Sequence, residues 1–412
     1  MRLTLVISSL GFGGAERVLT SLANCWAEQG REVSLLTFEP SDASSAAYPI
    51  HPSVKVRRLG LAAVSAHLVM GLLRNLWRIR VLRRAIRESH SDVVISFMNS
   101  TNILTLAATR WLGTPVIISE RADPLRHDIG PLWSFLRRIV YPFADALVCQ
   151  TSSALIQFQS MTKVRGFVIP NLVAKPFIFD DRNVRHDARA AGHSLVAMGR
   201  LAPQKGFDLL LNVFSFLADS HPDWSLTVIG DGPLRNELET QAKALKLTNR
   251  VHFTGVISEP LCALRNADLY VLSSRFEGFP NVLCEAMACG LPVVSFDCPS
   301  GPRDIIRDGV DGILVPPEDV DALVTCLDRL MSDDQERKRL AARARDILDR
   351  FSSEKILALW EELFDEVTVR RIRSRSPDSI RAGPAQPVLR RIAGDSESVP
   401  TDSHCPEARV EE

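Results

Sequence analysis

Two carboxylates, Glu277 and Glu285, stand with seven residues between them in the segment 274–290, Ser-Arg-Phe-Glu-Gly-Phe-Pro-Asn-Val-Leu-Cys-Glu-Ala-Met-Ala-Cys-Gly. Glu277 follows residues 269–273, an apolar run that reads as a strand. Glu285 lies inside the helix expected over 281–289, with Pro280 at its start and Gly290 at its end. Ligands of open α/β sheets bind at the carboxyl ends of strands, which puts Glu277 at the right edge. Between the acids comes a helix N-terminus, whose free amides suit phosphate. The order is acid, amide nest, acid. It fits a ligand with hydroxyls at each end and a diphosphate in the middle, as a nucleotide sugar has. The two acids alone would read equally well as a loop acid and a surface helix acid; the whole segment tips the balance.

Two glycine-bearing loops add to this. Gly199-Arg200-Leu201-Ala202-Pro203-Gln204-Lys205-Gly206 follows a strand and opens a helix. Arg200 offers a planar fork to a phosphate and Lys205 a point charge. Gly11-Phe12-Gly13-Gly14-Ala15-Glu16 follows the first strand, and its backbone can approach a phosphate or sugar closely. Glu16 stands where the dinucleotide fingerprint has its last glycine. Glu39, after the next strand, could imitate a ribose-binding acid, so a dehydrogenase is a competing reading at this point.

These loops need a scaffold of alternating strands and helices. Strands are expected at 3–8, 32–38, 92–97, 115–119 and 146–149, with a helix over 15–29 that stops at Gly30. The series ends near Pro170-Asn171, and the polar stretch 180–192 reads as a linker. A second series follows. Strands are expected at 194–198, 225–229, 251–253, 269–273 and 292–296, and helices at 207–218, 234–245, 281–289, 320–331 and 353–369. The fold class is α/β with two Rossmann-like domains. The expected division is an amino-terminal domain 1–175, a linker 176–193 and a nucleotide-sugar-binding domain 194–352. A helix 353–370 is free to pack back on the first domain, and a tail 371–412 has too few apolar residues to fold.

Composition excludes several classes. The 412 residues carry 46% apolar and 24% charged side chains, suited to ordinary globular cores. Formal net charge is zero, so no basic field argues for nucleic acid. Eight cysteines occur without a CxxC pair, which suits free thiols better than a disulfide framework or a zinc site. Gly11, Gly13, Gly14 and Glu16 interrupt the amino-terminal apolar run too early for a signal peptide. No apolar stretch reaches the roughly 20 residues that span a bilayer. The expected location is the cytoplasm, with contact at a membrane surface left open.

With residues 276–290 followed by Pro292, Gly301, Pro302, Arg303, Asp304, Gly309, Gly312 and Val315-Pro316, the chain resembles the retaining glycosyltransferases of family 4. Gly199-Arg200, Lys205-Gly206 and Gly13-Gly14-Ala15-Glu16 are similar to that family too, and the likeness covers residues 1–370. Residues 298–303, Cys-Pro-Ser-Gly-Pro-Arg, resemble the subset that adds hexoses or N-acetylhexosamines, notably N-acetylgalactosamine, to lipid-linked or surface glycans. The resemblance implies the GT-B architecture, two Rossmann-like domains facing across a cleft. It implies that Arg200 and Lys205 hold the donor diphosphate and that Glu277 hydrogen-bonds the donor sugar. Phe279, Pro280, Asn281 and Val282 would line the phosphates and sugar, and Glu285 would accept from the ribose. Gly255 and Val256 would lie near the base, and Gly13 and Gly14 would face the donor across the cleft. Transfer would retain anomeric configuration through an oxocarbenium-like state. Cations and amides would neutralise the diphosphate, so neither metal nor cofactor is implied, and the nucleotide sugar, expected from the resemblance to be a UDP-sugar, is a substrate.

The sequence departs from the family where many relatives carry a histidine after the fourth strand of the first domain. Here residues 118–124 read Ile-Ser-Glu-Arg-Ala-Asp-Pro, and His127 is out of register. Glu120, Arg121 and Asp123 become the candidates for contact with donor or acceptor. Residues 68–87 carry Arg74, Arg78, Arg80, Arg83, Arg84 and Arg87 among apolar residues, and 132–143 carry Arg137 and Arg138. Both read as core helices with a cationic face or as elements that meet an anionic membrane. A nucleotide-sugar epimerase and a non-catalytic nucleotide-sugar-binding subunit remain as alternatives to a transferase acting on a glycan or lipid-linked acceptor.

Overall fold

The computed structural model describes residues 1–42, 46–62, 68–121, 129–173, 192–257 and 259–375. Seven parallel strands form the first sheet: β1 (Arg2–Ile7), β2 (Glu32–Thr37), β3 (Lys55–Arg58), β4 (Val93–Phe97), β5 (Val116–Ser119), β6 (Ala146–Cys149) and β7 (Gly166–Val168). Six form the second: β8 (His193–Met198), β9 (Trp224–Ile229), β10 (Val251–Gly255), β11 (Leu269–Leu272), β12 (Val293–Phe296) and β13 (Ile313–Val315). Their orders are β3-β2-β1-β4-β5-β6-β7 and β10-β9-β8-β11-β12-β13. In each sheet the order of strand addition reverses beside its first strand, between β1 and β4 and between β8 and β11. A crevice opens at such a switch point, where ligands of doubly wound sheets sit.

Central strands are legible because they are buried on both faces. Every residue of β4, β5 and β6 is buried, and their sequences are near-continuous apolar runs. Edge strands differ. β3 is Lys-Val-Arg-Arg, with no buried residue. It lacks the apolar signature the sequence reading relied on, and charge on an edge strand discourages further pairing. β7 and β13, three residues each, are too short to show a period.

The helix Ser353–Arg375 runs beyond the expected end at 369. It lies on the first domain. Trp360 meets Trp26 edge-on at 5.8 Å, Phe364 meets Trp26 at 5.5 Å, and Glu361 and Glu366 pair with Arg31 and Arg165. Arg371 holds both carboxylate oxygens of Asp145, at 2.7 and 2.8 Å. That fork explains why the helix continues through residues the sequence reading gave to the tail. Most of the expected linker, and residues 376–412, lie outside the described residues.

Candidate active site

The loops after β8 and β11 meet. Lys205 Nζ donates to Glu277 Oε1 at 2.6 Å, and Ser274 Oγ donates to the same oxygen at 2.6 Å. Glu277 is buried, so its charge is held by a cation and a hydroxyl rather than by water. Backbone ties keep the loops in register: Arg275 N donates to Gln204 O at 2.8 Å, and Gln204 Nε2 donates to Phe276 O at 2.9 Å. Arg275 forks onto Asp208 at 2.8 and 2.6 Å. Gly206 has φ +61°, and a Cβ there would lie 2.1 Å from Ser273 O. Only glycine permits this approach, which explains its place after Lys205. Arg200 is exposed on the same loop, available to an anion above the β8 end.

The helix Asn281–Ala288 starts beside Glu277, with Pro280 as its cap residue. Gly301, at φ +101°, passes so close that a Cβ would lie 2.7 Å from Pro280 Cδ. Ser300 Oγ donates to Gly278 O at 3.3 Å and bonds Thr151 Oγ1 of the first domain at 2.9 Å. The 298–303 segment therefore buttresses the loop 277–280 from behind. Phe279 is buried against Phe351 at 5.7 Å, and Val282 is half-buried against the core. Gly255 and Val256 lie at the end of β10, where Gly230 N donates to Gly255 O at 2.9 Å. Val256 is 76% exposed, an open apolar edge suited to one side of a flat base.

The first domain meets this site directly. The Asn281 amide lies 3.3 Å from the position a Cβ on Gly14 would take. Asn281 Oδ1 accepts from Asn171 Nδ2 at 2.7 Å, and Asn171 Oδ1 accepts from Arg121 Nη1 at 2.5 Å. Arg17, one helical turn beyond Gly13, pairs with Glu285. Burial pushes the Glu285 carboxyl up, and the Arg17 charge pulls it down. Gly13 caps the helix Gly14–Glu28, and the Glu16 side chain folds back over it: a Cβ on Gly13 would lie 2.1 Å from Glu16 Oε2. The structure thus brings Gly14, Arg17 and Asn171 of the first half of the chain against Asn281 and Glu285 of the second.

Three expectations change. Glu39 accepts from Leu10 N at 2.9 Å and from Thr37 Oγ1 at 3.3 Å. It braces the glycine loop from beneath, and the ribose-binding role of a dehydrogenase is not open to it. Glu120 is buried, bonded to Tyr141 and to Asn102 Nδ2, the latter at 3.2 Å. It supports the β5 end rather than reaching a ligand, and burial pushes its carboxyl up to about 7. Arg137 is buried and stacks over Phe158 at 5.5 Å, so it leaves the cationic face expected for 132–143. Asp123 and His127 lie outside the described residues.

Sequence reasoning missed Arg17, Asn171, Ser274, Ser300 and Thr151. Asn171 and Arg17 each flank a motif already singled out, Pro170 and the Gly13-Gly14 turn. Ser274 reaches Glu277 three residues on, within its own loop, and Ser300 and Thr151 are small polar residues whose mutual bond spans the two domains.

Residues 185–347 match the family described as glycosyl transferases group 1, and residues 13–171 match the glycosyl transferase 4-like domain. The chain is 32% identical over 372 residues to a Campylobacter jejuni enzyme, GalNAc-alpha-(1->4)-GalNAc-alpha-(1->3)-diNAcBac-PP-undecaprenol alpha-1,4-N-acetyl-D-galactosaminyltransferase. That likeness spans 89% of this chain and 99% of the relative. A second C. jejuni enzyme, N-acetylgalactosamine-N,N'-diacetylbacillosaminyl-diphospho-undecaprenol 4-alpha-N-acetylgalactosaminyltransferase, is 27% identical over 86% of this chain and 97% of its own. In fold, the chain is similar to a sucrose-phosphate synthase from Thermosynechococcus elongatus, with TM-score 0.77 and 17% identity over 90% of this chain and 99% of that one. Anabaena HepE, solved in complex with UDP, gives TM-score 0.71 at 18% identity, covering 90% and 100%.

Proposed function

This chain belongs to the group 1 glycosyl transferases and is a glycosyltransferase of GT-B architecture, and on that premise we propose that it moves a hexose or N-acetylhexosamine from a UDP-sugar to a lipid-linked or polysaccharide acceptor, with retention and without a metal. One observation carries the reading. Lys205 and Glu277 stand at one side of the Asn281–Ala288 amino terminus and Glu285 within that helix, at the switch point of the second sheet, with Gly14 facing them.

In this reading the donor diphosphate lies over the start of the helix, with Arg200 and Lys205 as countercharges. Glu277 faces the donor sugar, and Lys205 keeps its carboxylate oriented. As the bond from the anomeric carbon to the phosphate oxygen breaks, positive charge grows on the sugar and negative charge on the leaving UDP. A fixed carboxylate stabilises the first. Fixed cations and amides, already oriented, stabilise the second. Glu285 accepts from the ribose, and Gly255 and Val256 flank the base. The donor class follows HepE, whose structure holds UDP. The acceptor class follows the two Campylobacter relatives, whose names specify undecaprenol-linked glycans. The amphipathic helices of the first domain would place such an acceptor at an anionic membrane surface.

A panel of nucleotide sugars tests this by thermal stabilisation and by transfer to undecaprenyl-diphosphate glycans. Stabilisation and transfer with UDP-hexoses or UDP-N-acetylhexosamines are expected. Stabilisation without turnover on any acceptor would select a binding subunit, and release of free sugar or an altered nucleotide sugar would select an epimerase.

A further inference from the structure

Glu285 is a buried acid whose positive partner belongs to the other domain. Its side chain is 11% exposed, and it is faced by Arg17 from the first helix, Tyr48 from the loop after β2, Tyr270 from β11, Cys284 of its own helix and Cys289 just past that helix's end. Only Arg17 in that set carries a positive charge. Arg17 Nη1 pairs with Oε1, and Oε2 accepts no hydrogen bond among the described residues. The Arg17 backbone is set in the first turn of the first helix, where its N donates to Gly13 O at 3.1 Å. Asn171 to Asn281 and Thr151 to Ser300 close the same interface.

We propose that Arg17 is a positioning residue for donor recognition: from the amino-terminal domain it pairs with one oxygen of the Glu285 carboxylate and turns it so that its second oxygen can accept from the ribose. The grip on the nucleotide is then complete only when the two domains are closed. This rests on the ribose role given to Glu285 above.

The physical basis is the cost of a buried charge. A carboxylate out of water binds a proton unless a cation compensates it. An ionised acid is a pure acceptor for two ribose hydroxyls, whereas a protonated one gives up part of that capacity. Had the countercharge come from its own domain, Glu285 would grip the nucleotide in any domain arrangement. Placing it on the first helix ties donor affinity to closure.

UDP binding to the full-length protein, measured by calorimetry from pH 5.5 to 8.5, tests this with Arg17→Gln, Arg17→Lys and Glu285→Gln. Without the arginine charge the Glu285 carboxyl rises further. Affinity of Arg17→Gln should therefore fall, as pH is lowered, at a higher pH than in the wild type. The gap should reach about tenfold, the effect of one charge-assisted hydrogen bond, and close again on the alkaline side. Comparing proteins at each pH cancels titration of the UDP itself. Arg17→Lys should follow the wild-type curve. A gap independent of pH, or none, or Arg17→Lys behaving as Arg17→Gln, overturns the proposal. Glu285→Gln separates the two levels of argument. If it binds UDP as the wild type does, the ribose role itself fails. If it weakens UDP while Arg17→Gln shows no shifted pH profile, only the role of Arg17 fails.

Discussion

Lys205 Nζ and Glu277 Oε1 lie 2.6 Å apart and join the loop after β8 to the loop after β11. The pair is shielded from water, with side-chain exposures of 16% and 7%. Lys205 therefore serves two partners in the proposed mechanism, the leaving diphosphate and the acid that faces the sugar. Glu277→Gln keeps size and accepting capacity but removes the charge that matters as the glycosidic bond breaks. Its kcat should fall roughly a hundredfold, with free UDP affinity nearly unchanged. Glu285→Gln should do the opposite, raising the donor KM more than it lowers kcat. Steady-state kinetics and UDP titrations decide. If Glu277→Gln weakens UDP as much as Glu285→Gln does, the two ends of the donor have been assigned wrongly.

Glu120 gives a pH signature of stability. Its folded-state carboxyl titrates at about 7, raised from 4.5 by burial. A raised carboxyl means that the folded protein holds a proton which the unfolded chain has released. Stability should therefore fall as pH climbs from about 4.5 to about 7, by up to about 1.4 kcal/mol per unit. Glu120→Gln is neutral throughout and should lose this slope. Urea unfolding at several pH values checks it. Parallel pH profiles for the two proteins would remove Glu120 as the cause.

Metal independence has a direct assay. The proposed site already sets Arg200, Lys205 and a helix amino terminus against the diphosphate. Transfer should persist in excess EDTA at near its original rate. Abolition by EDTA with restoration by magnesium or manganese contradicts it.

Much of this fold could be read from sequence because parallel strands buried on both faces are continuous apolar runs. Val93 to Phe97 in β4 announces itself; Lys55 to Arg58 in β3 does not, since an edge strand is specified by its neighbour rather than by its own apolar content. The site divides in the same way. Glu277, Glu285, Lys205 and Gly206 sit in local motifs with a local logic, and the switch points explain why those motifs converge. Arg17 and Asn171 act across the domain interface, so their partners lie 268 and 110 positions away in sequence, and spacing reveals neither. Glu39 shows the converse, a plausible ligand acid by position that folding commits to a backbone amide.

The carboxy-terminal helix should be essential to the first domain. Trp360 and Trp26 are both fully buried, so Trp360→Ala should cost about 4 kcal/mol. Removing residues after 375 should leave the melting temperature unchanged. Removing residues after 352 should lower it sharply, because Trp26 and its neighbours would face water. A neutral truncation at 352 would mean that the tryptophan contact contributes little.

The last prediction concerns the membrane, and burial along two helices narrows the surface that can take part. In Leu68–Glu88, Leu82, Ala85 and Ile86 are buried, which commits the carboxy-terminal part of that helix to the core. Leu73, Leu76 and Trp77 are exposed, with Arg80 and Arg84 following on the same helix. In Pro131–Val140, Leu132, Phe135 and Ile139 are exposed, at 58%, 61% and 48%, beside an exposed Arg138. Large exposed apolar side chains among arginines fit the boundary between headgroups and acyl chains. Phe135→Asp with Ile139→Asp should leave the melting temperature intact, since neither residue is in the core. The change should reduce co-sedimentation with anionic vesicles by at least about tenfold, because it removes apolar contact and adds like charge. Wild-type binding should be released at high salt. Equal binding of the wild type to neutral vesicles, or none to either kind, would return both helices to a purely structural role.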